Sequence, residues 1–414
     1  MASARPPARN RGAVPYFALI TLAVAVFISV TLEMLPTGLL PQMSAGLGVT
    51  ESQIGFTVSI FAFTVVVTSA PISILMRRVP RHALLIAVLV VLAASALVSA
   101  LSINYTMLVV SRVIGGIAHG VFWSVVGAYA AYLVPKEHLG RAVSIVLGGG
   151  SLAFVLGVPL GTALGAAFGW RLSFGVMAGL ALVGAIFLFR FVPRVDHLAA
   201  GGVITTPTGS IRLATQEQLD EPPRRDHSVT AVVFVCLITA VTMVGQYTFY
   251  TFIAPYLLGP VGLSESQVSP ALFAYGAAGA VSLVLVALWL GRSPRLWLLA
   301  SMVFLVAAIV ALAVAPAITP LAIAAFFLWG LTMGNLPPLL QTRLLHAAPA
   351  RIRDTASAFY TSAFNVGIGG GALVGSLVLA SAGISALPWV FIGILVLAIA
   401  LTVVSDLLLR PRRS

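Results

Sequence analysis

Charge is scarce in this chain: Asp, Glu, Lys and Arg together make up 8% of its residues, while 60% are hydrophobic. That imbalance excludes an ordinary soluble fold, in which about a quarter of the residues are charged. Cysteine is scarcer still, with Cys236 alone inside an apolar run, so neither a disulfide framework nor a Cys-based metal site arises. Phosphate-binding loops, metal-spaced His or Cys clusters and a soluble catalytic domain are missing too, which argues against an enzyme, an ATP-driven pump and any metal or cofactor. The net charge of +12 is scattered between hydrophobic runs, so nucleic acid is not the expected partner.

What the chain has is long apolar runs. They fall at 15–42, 53–76, 83–103, 105–134, 141–169, 172–192, 229–257, 266–291, 296–315, 318–342, 355–382 and 386–409, each near the roughly 20 residues that cross a bilayer. Backbone groups in lipid must bond internally, so these runs read as helices. The first follows Arg5, Arg9 and Arg11 as a secretory leader would, but it exceeds a leader's core of about 7–15 residues and further spans follow it. With the N-terminus inside, Arg77, Arg78, Arg81, Lys136, Arg141, Arg292, Arg295, Arg343, Arg351, Arg353, Arg410, Arg412 and Arg413 all fall on the cytoplasmic face. Only Arg171 lies in an outer loop and only Arg112 within a span, which fits the positive-inside rule with both termini cytoplasmic.

The stretch from about Pro193 to His227, with Pro207, Pro222 and Pro223, is polar and reads as a linker. On either side of it the sequence repeats. Thr50-Glu51-Ser52-Gln53-Ile54 returns as Ser264-Glu265-Ser266-Gln267-Val268, an offset of 214. The same offset carries Pro41 onto Pro255, Gly48 onto Gly262, Pro80-Arg81 onto Pro294-Arg295, Gly116 onto Gly330, Gly120 onto Gly334, Gly157 onto Gly371 and Gly161 onto Gly375. The expected fold is therefore an all-α membrane protein of twelve transmembrane helices in two pseudo-twofold-related six-helix halves. Its parts are a cytoplasmic tail (1–14), a first half (15–192), a linker (193–228), a second half (229–409) and a short tail (410–414). Repeated halves of this kind place a ligand site at their interface near the midplane, with access alternating as one half rocks on the other. A duplicated scaffold or receptor without transport is the alternative.

Several motifs resemble one family. Glu33-Met34-Leu35-Pro36-Thr37-Gly38-Leu39-Leu40-Pro41 is similar to the first-span stretch of bacterial drug and sugar efflux members of the major facilitator superfamily. Arg112 with Gly116, His119-Gly120 and Phe122, then Gly157-Val158-Pro159-Leu160-Gly161, Gly169-Trp170-Arg171, Gln341-Thr342-Arg343 and Phe364-Asn365-Val366-Gly367 extend the resemblance over nearly the whole chain. It implies a proton-coupled antiporter in the bacterial inner membrane that exports a small molecule such as a drug or sugar, working as a monomer, with Phe122 among the substrate contacts. A proton-independent facilitator of the same fold is the alternative. The chain departs from the family in lacking an acidic residue between Ala70 and His82, and in placing Val158 between Gly157 and Pro159. Asp354 stands where it can pair with Arg77, Arg78 or Arg81 across the halves, or simply cap its own helix.

Charges inside a span usually face a bundle interior or a water-filled cavity. Glu33 and Arg112 both fall in the outer third of their expected spans, and His119 lies about two turns deeper than Arg112 on nearly the same face. A carboxylate whose solvation alternates between conformations can bind and release a proton. Glu33 is the expected proton carrier, with Arg112 tuning or competing for its charge and His119 relaying the proton or binding substrate. The alternatives are a permanent Glu33–Arg112 ion pair and a neutral histidine bonded between helices. Tyr247 stands at the repeat position of Glu33, near Gln246 and Tyr250, and Ser151 is the repeat partner of Asn365. These are the candidate substrate contacts, a mix of aromatic faces and few polar groups suited to a small, partly apolar ligand. Gly157, Gly161 and Gly165, with Pro159 among them, give the fifth span a small-residue face for close helix packing.

Overall fold

Apolar runs without a water partner for their backbone wind into helices throughout the described residues of the computed structural model, which are 15–76, 79–134, 138–194, 227–290, 293–348 and 352–408. In chain order the helices are α1 (Tyr16–Leu47), α2 (Glu51–Leu75), α3 (Arg81–Ala100), α4 (Tyr105–Leu133), α5 (Leu139–Leu152), α6 (Val158–Phe168), α7 (Trp170–Phe191), α8 (His227–Tyr250), α9 (Ile253–Leu258), α10 (Glu265–Leu288), α11 (Pro294–Val314), α12 (Thr319–Ala347), α13 (Arg353–Ala382) and α14 (Leu387–Leu408). Among the described residues, 12 spans are long and apolar enough to cross a membrane, as expected from the sequence. The linker lies almost wholly outside the described residues, as do Arg77, Arg78 and the side chain of Asp354.

Proline and glycine explain where the helices depart from the expected limits. α1 runs through Pro36 and Pro41 and stops only at Gly48, whose φ of 64° is left-handed, so Glu33 sits near the middle of α1 and not in its outer third. The seventh span breaks after Tyr250 instead of running to 257, because Pro255 offers no N–H to the Thr251 carbonyl four residues back. The fifth span is interrupted by a π-helical turn at Ala153–Gly157. There the Val158 N–H reaches back to Ala153 O, and Pro159 supplies no donor to the turn.

The repeat is visible in the backbone. Among the described residues, those with positive φ are Gly48, Gly169, Gly262 and Gly383, two pairs separated by the same offset of 214. Thr50 N–H donates to Gln53 Oε1, and Ser264 N–H to Gln267 Oε1, each at 2.9 Å. Within the first half α1 packs on α5, α6 and α7, and α2 on α4; in the second, α8 packs on α13 and α14, and α12 on α10 and α11. The halves meet along two seams, α2 with α13 and the π turn plus α6 with α10. Ser52 Oγ donates to Ser376 O at 2.7 Å across one, and Ser269 Oγ to Pro159 O at 2.8 Å across the other.

Candidate functional site

Between the two halves lies a cavity of about 750 Å³, within the usual size of a small-molecule site. Its wall includes Ser69 late in α2, Ser124 late in α4, Leu147 early in the fifth span, Leu283 late in α10, Pro338 late in α12 and Ala358 early in α13. Because successive spans alternate in direction, all of these belong to the end of the bundle at which α1 begins. The cavity opens toward that end. The opposite end is shut, with Gly38 of α1 against Thr162 and Leu272, and Gly55 of α2 against Phe252.

Glu33, Arg112 and His119 come together at the inner part of this space and are 5%, 3% and 3% exposed. α1 and α4 bring them face to face, Glu33 and His119 on the cavity wall and Arg112 behind it. His119 Nε2 lies 3.4 Å from Glu33 Oε2. On its other side, His119 Nδ1 shares a 2.8 Å hydrogen bond with Ser29 Oγ. Glu33 Oε1 has no partner among the described residues. The Phe61 ring packs edge-on against the His119 ring at 5.3 Å.

Arg112 does something other than the sequence suggested. Its Nη1 donates to Leu32 O at 2.9 Å and its Nη2 to the backbone oxygen of Glu33 at 2.8 Å, while its guanidinium sits 4.2 Å above the Phe61 ring. The cation is thus committed to α1 backbone and to an aromatic face, and the ion pair weighed for Glu33 and Arg112 is replaced by a Glu33–His119 contact. Pro36 accounts for this, since it leaves the Leu32 carbonyl without its helical donor, and a cation can satisfy that oxygen in a dry interior.

Of the expected substrate contacts, Gln246, Tyr247, Ser151 and Asn365 line the cavity. Tyr250 and Phe122 do not; both are buried behind the wall, Tyr250 with its ring edge-to-face with Tyr247 and tilted against Tyr275. Gly157 and Gly161 pack against Thr31 and Leu35 of α1, and Gly165 against Leu39, the close approach expected of a small-residue face. Pro159 receives the Ser269 bond already described. Of the charges expected to meet across the halves, only Arg81 has a described side chain, and it forms no ion pair with a described residue. A polar cluster the sequence did not suggest ties α11, α12 and α14: Asp406 accepts from Arg295 Nε at 2.6 Å and from Arg343 Nη2 at 2.7 Å.

Sequence reasoning also missed Ser29, Phe61, Tyr275 and Trp329. The repeat contained the signal. Phe61 and Arg112 map onto Tyr275 and Phe326, whose rings stack at 4.9 Å, and Ser29, Glu33 and His119 map onto Met243, Tyr247 and Met333. The first half therefore carries the ionisable groups at this level, and the second half carries aromatic and thioether side chains in their place.

Comparison with known proteins agrees with this architecture. The sequence model described as Major Facilitator Superfamily matches residues 22–233 and 235–414. The chain is 30% identical over 377 residues to the probable sugar efflux transporter of Mannheimia succiniciproducens, covering 91% of this chain and 90% of the relative. Among solved structures it resembles a bacterial homologue of the human lysosomal transporter Spinster in an inward-facing, occupied conformation, with a TM-score of 0.75 and 15% identity over 97% of this chain and all of the other. It also resembles a D-xylose–proton symporter, with a TM-score of 0.75 and 16% identity over 94% of this chain and 97% of the other. At such identities these two likenesses establish the fold.

Proposed function

The chain belongs to the Major Facilitator Superfamily, a multi-pass membrane transporter and not an enzyme, and on that premise we propose that it exports a sugar-class small molecule from the cytoplasm of a bacterial cell in exchange for protons. The observation that carries this reading is Glu33: a carboxylate buried at the inner end of the cavity, with one oxygen unpartnered among the described residues and the other facing His119. The sugar assignment is supported by the 30% identical relative, a probable sugar efflux transporter.

The exchange follows from competition for one group. When Glu33 gives up its proton to the open side, its carboxylate accepts a hydrogen bond from a ligand hydroxyl. When the cavity opens to the other side, a proton from there neutralises the carboxylate, the charge-assisted bond to the ligand weakens to a neutral one, and the ligand leaves. His119 follows the proton without gaining charge. With Glu33 ionised, Nε2–H points at the carboxylate and Nδ1 accepts from the Ser29 hydroxyl; with Glu33 protonated, its O–H points at Nε2 and Nδ1–H donates to Ser29 Oγ. Gln246, Tyr247, Ser151 and Asn365 contact the substrate in this scheme, the N- and C-termini are cytoplasmic, and one chain suffices.

The test is uptake into inverted membrane vesicles with an imposed pH gradient, screened over sugars and neutral drugs. Glu33→Gln is expected to abolish gradient-driven accumulation while retaining measurable ligand binding. Accumulation equal to wild type in that variant would remove Glu33 from the mechanism, and sugar equilibration without gradient-driven accumulation in wild type itself would leave a proton-independent facilitator.

A further inference from the structure

On the cavity wall contributed by the second half, the described lining residues carry no charge, yet a chain of hydrogen bonds there has a direction fixed by its own chemistry. An indole Nε1–H donates and cannot accept, and that of Trp329 lies 2.7 Å from Gln246 Oε1. The contact sets the amide: its oxygen faces the indole and its nitrogen faces the other way, donating to Tyr275 Oη at 2.9 Å. An amide nitrogen has no lone pair to offer, so the Tyr275 oxygen accepts from it and the phenolic proton must be directed elsewhere. Tyr275 and Gln246 line the cavity, whereas Trp329 is fully buried behind them. The Tyr275 ring is held between Phe326, stacked at 4.9 Å, and Tyr250 at 5.0 Å, so the hydroxyl is positioned by packing as well as by the amide.

We infer that Tyr275 is a specificity-determining residue whose hydroxyl presents a proton to the ligand, and that the ligand is a neutral polyhydroxylated molecule placing an oxygen on Tyr275 and a hydroxyl proton on Glu33. The two walls ask for opposite partners. Tyr275 needs an acceptor, and the Glu33 carboxylate needs a donor; hydroxyl groups serve as both. The same cavity wall is apolar at Met333, Val65 and Met34, which suits the C–H face of a sugar ring. A ligand whose only polar group is a cation satisfies Glu33 and leaves the Tyr275 proton unpaired. The inference rests on the cavity being the transport site, and it adds which side chain reads the substrate and with which polarity.

The full-length chain in proteoliposomes tests it, by competition against labelled L-arabinose, D-xylose or D-glucose with the complete set of single-deoxy analogues of each. In wild type, besides the position that faces Glu33, one deoxy position is expected to weaken competition about tenfold, the size of one lost hydrogen bond at a desolvated site. Tyr275→Phe keeps the ring stacking; it is expected to weaken the parent sugar about tenfold and to erase the penalty at that one position, leaving the other deoxy penalties and the pH profile as they are. Trp329→Phe frees the Gln246 amide to turn over, so that Tyr275 donates to Oε1 instead, and it is expected to reproduce the same loss from a residue that does not line the cavity. A loss of folding would flatten every penalty alike and is read out separately by the melting temperature. Sugar flux with unchanged deoxy penalties in Tyr275→Phe overturns the donor role and leaves sugar transport standing. Flux of tetraphenylphosphonium in place of every sugar overturns the substrate class and the donor together.

Discussion

At the scale of single residues, Arg112 shows how a helix-breaking proline and a buried cation explain one another. Pro36 strands the Leu32 carbonyl, and the guanidinium of Arg112 takes it up together with the neighbouring oxygen of Glu33. Arg112→Met should therefore destabilise the detergent-solubilised protein by about 3 kcal/mol, the worth of two charge-assisted bonds, while Glu33→Gln should leave the melting temperature close to wild type. Equal melting of Arg112→Met and wild type would mean that α1 holds at Pro36 without this clamp. Ser29→Ala removes the partner of His119 Nδ1, and the relay then predicts a narrowed pH profile of flux, with a roughly fivefold loss at the optimum for about 1 kcal/mol. A uniform loss at every pH would mean that Ser29 only packs. Glu33, Arg112 and His119 were legible in the sequence because charge and imidazole at membrane depth are rare. The pairing among them was not, because residue spacing along two helices does not say which backbone oxygen a third residue has orphaned. Tyr275 was hidden for a different reason: a tyrosine amid apolar residues reads as packing until its neighbours fix the direction of its hydroxyl.

At the scale of elements, the fifth span shows where helix reading from sequence fails. Glycines at 157, 161 and 165 read as one small-residue face, and that face is found, but the π turn that ends at Gly157 leaves no periodic mark because it differs from an α-helix only in a local shift of backbone hydrogen bonding. The turn withdraws the Val158 donor from Phe154 O, Pro159 supplies none, and the backbone of α10 at Gly276 closes against Phe154 O and Val155. A methyl group at Gly276 would overlap those backbone atoms, which cannot swing aside as a side chain would. Gly276→Ala is therefore expected to force the seam between the π turn and α10 apart and reduce flux at least fivefold, by an overpacking cost of about 1–3 kcal/mol. Gly279→Ala is its control, since an added Cβ there would meet Gly330 O at an ordinary 3.5 Å. Similar flux in the two alanine variants would show that the seam tolerates separation at the π turn.

At the scale of the whole molecule, the asymmetry between the ends of the cavity is the strongest support for alternating access. The shut end is held by small residues in contact across the halves and by single serine-to-carbonyl bonds, Ser52 to Ser376 and Ser269 to Pro159, each worth about 1 kcal/mol. Such a seam can part and re-form without breaking a buried charge pair, which a rocking motion requires. The lone cysteine makes this directly measurable on a Cys236→Ser background that retains flux. Ser151→Cys, on the cavity wall, should react with a membrane-impermeant maleimide from the face at which the chain begins. Leu272→Cys, buried at the shut end beside Gly38, should be protected from both faces in the state described here and become reactive from the opposite face when an outward-directed sugar gradient drives turnover. The two reactivities should rise and fall in opposition, because one seam must close for the other to open. Continued flux with Leu272→Cys never reactive from the opposite face would mean that the ligand leaves by another route and that the halves do not rock at this seam.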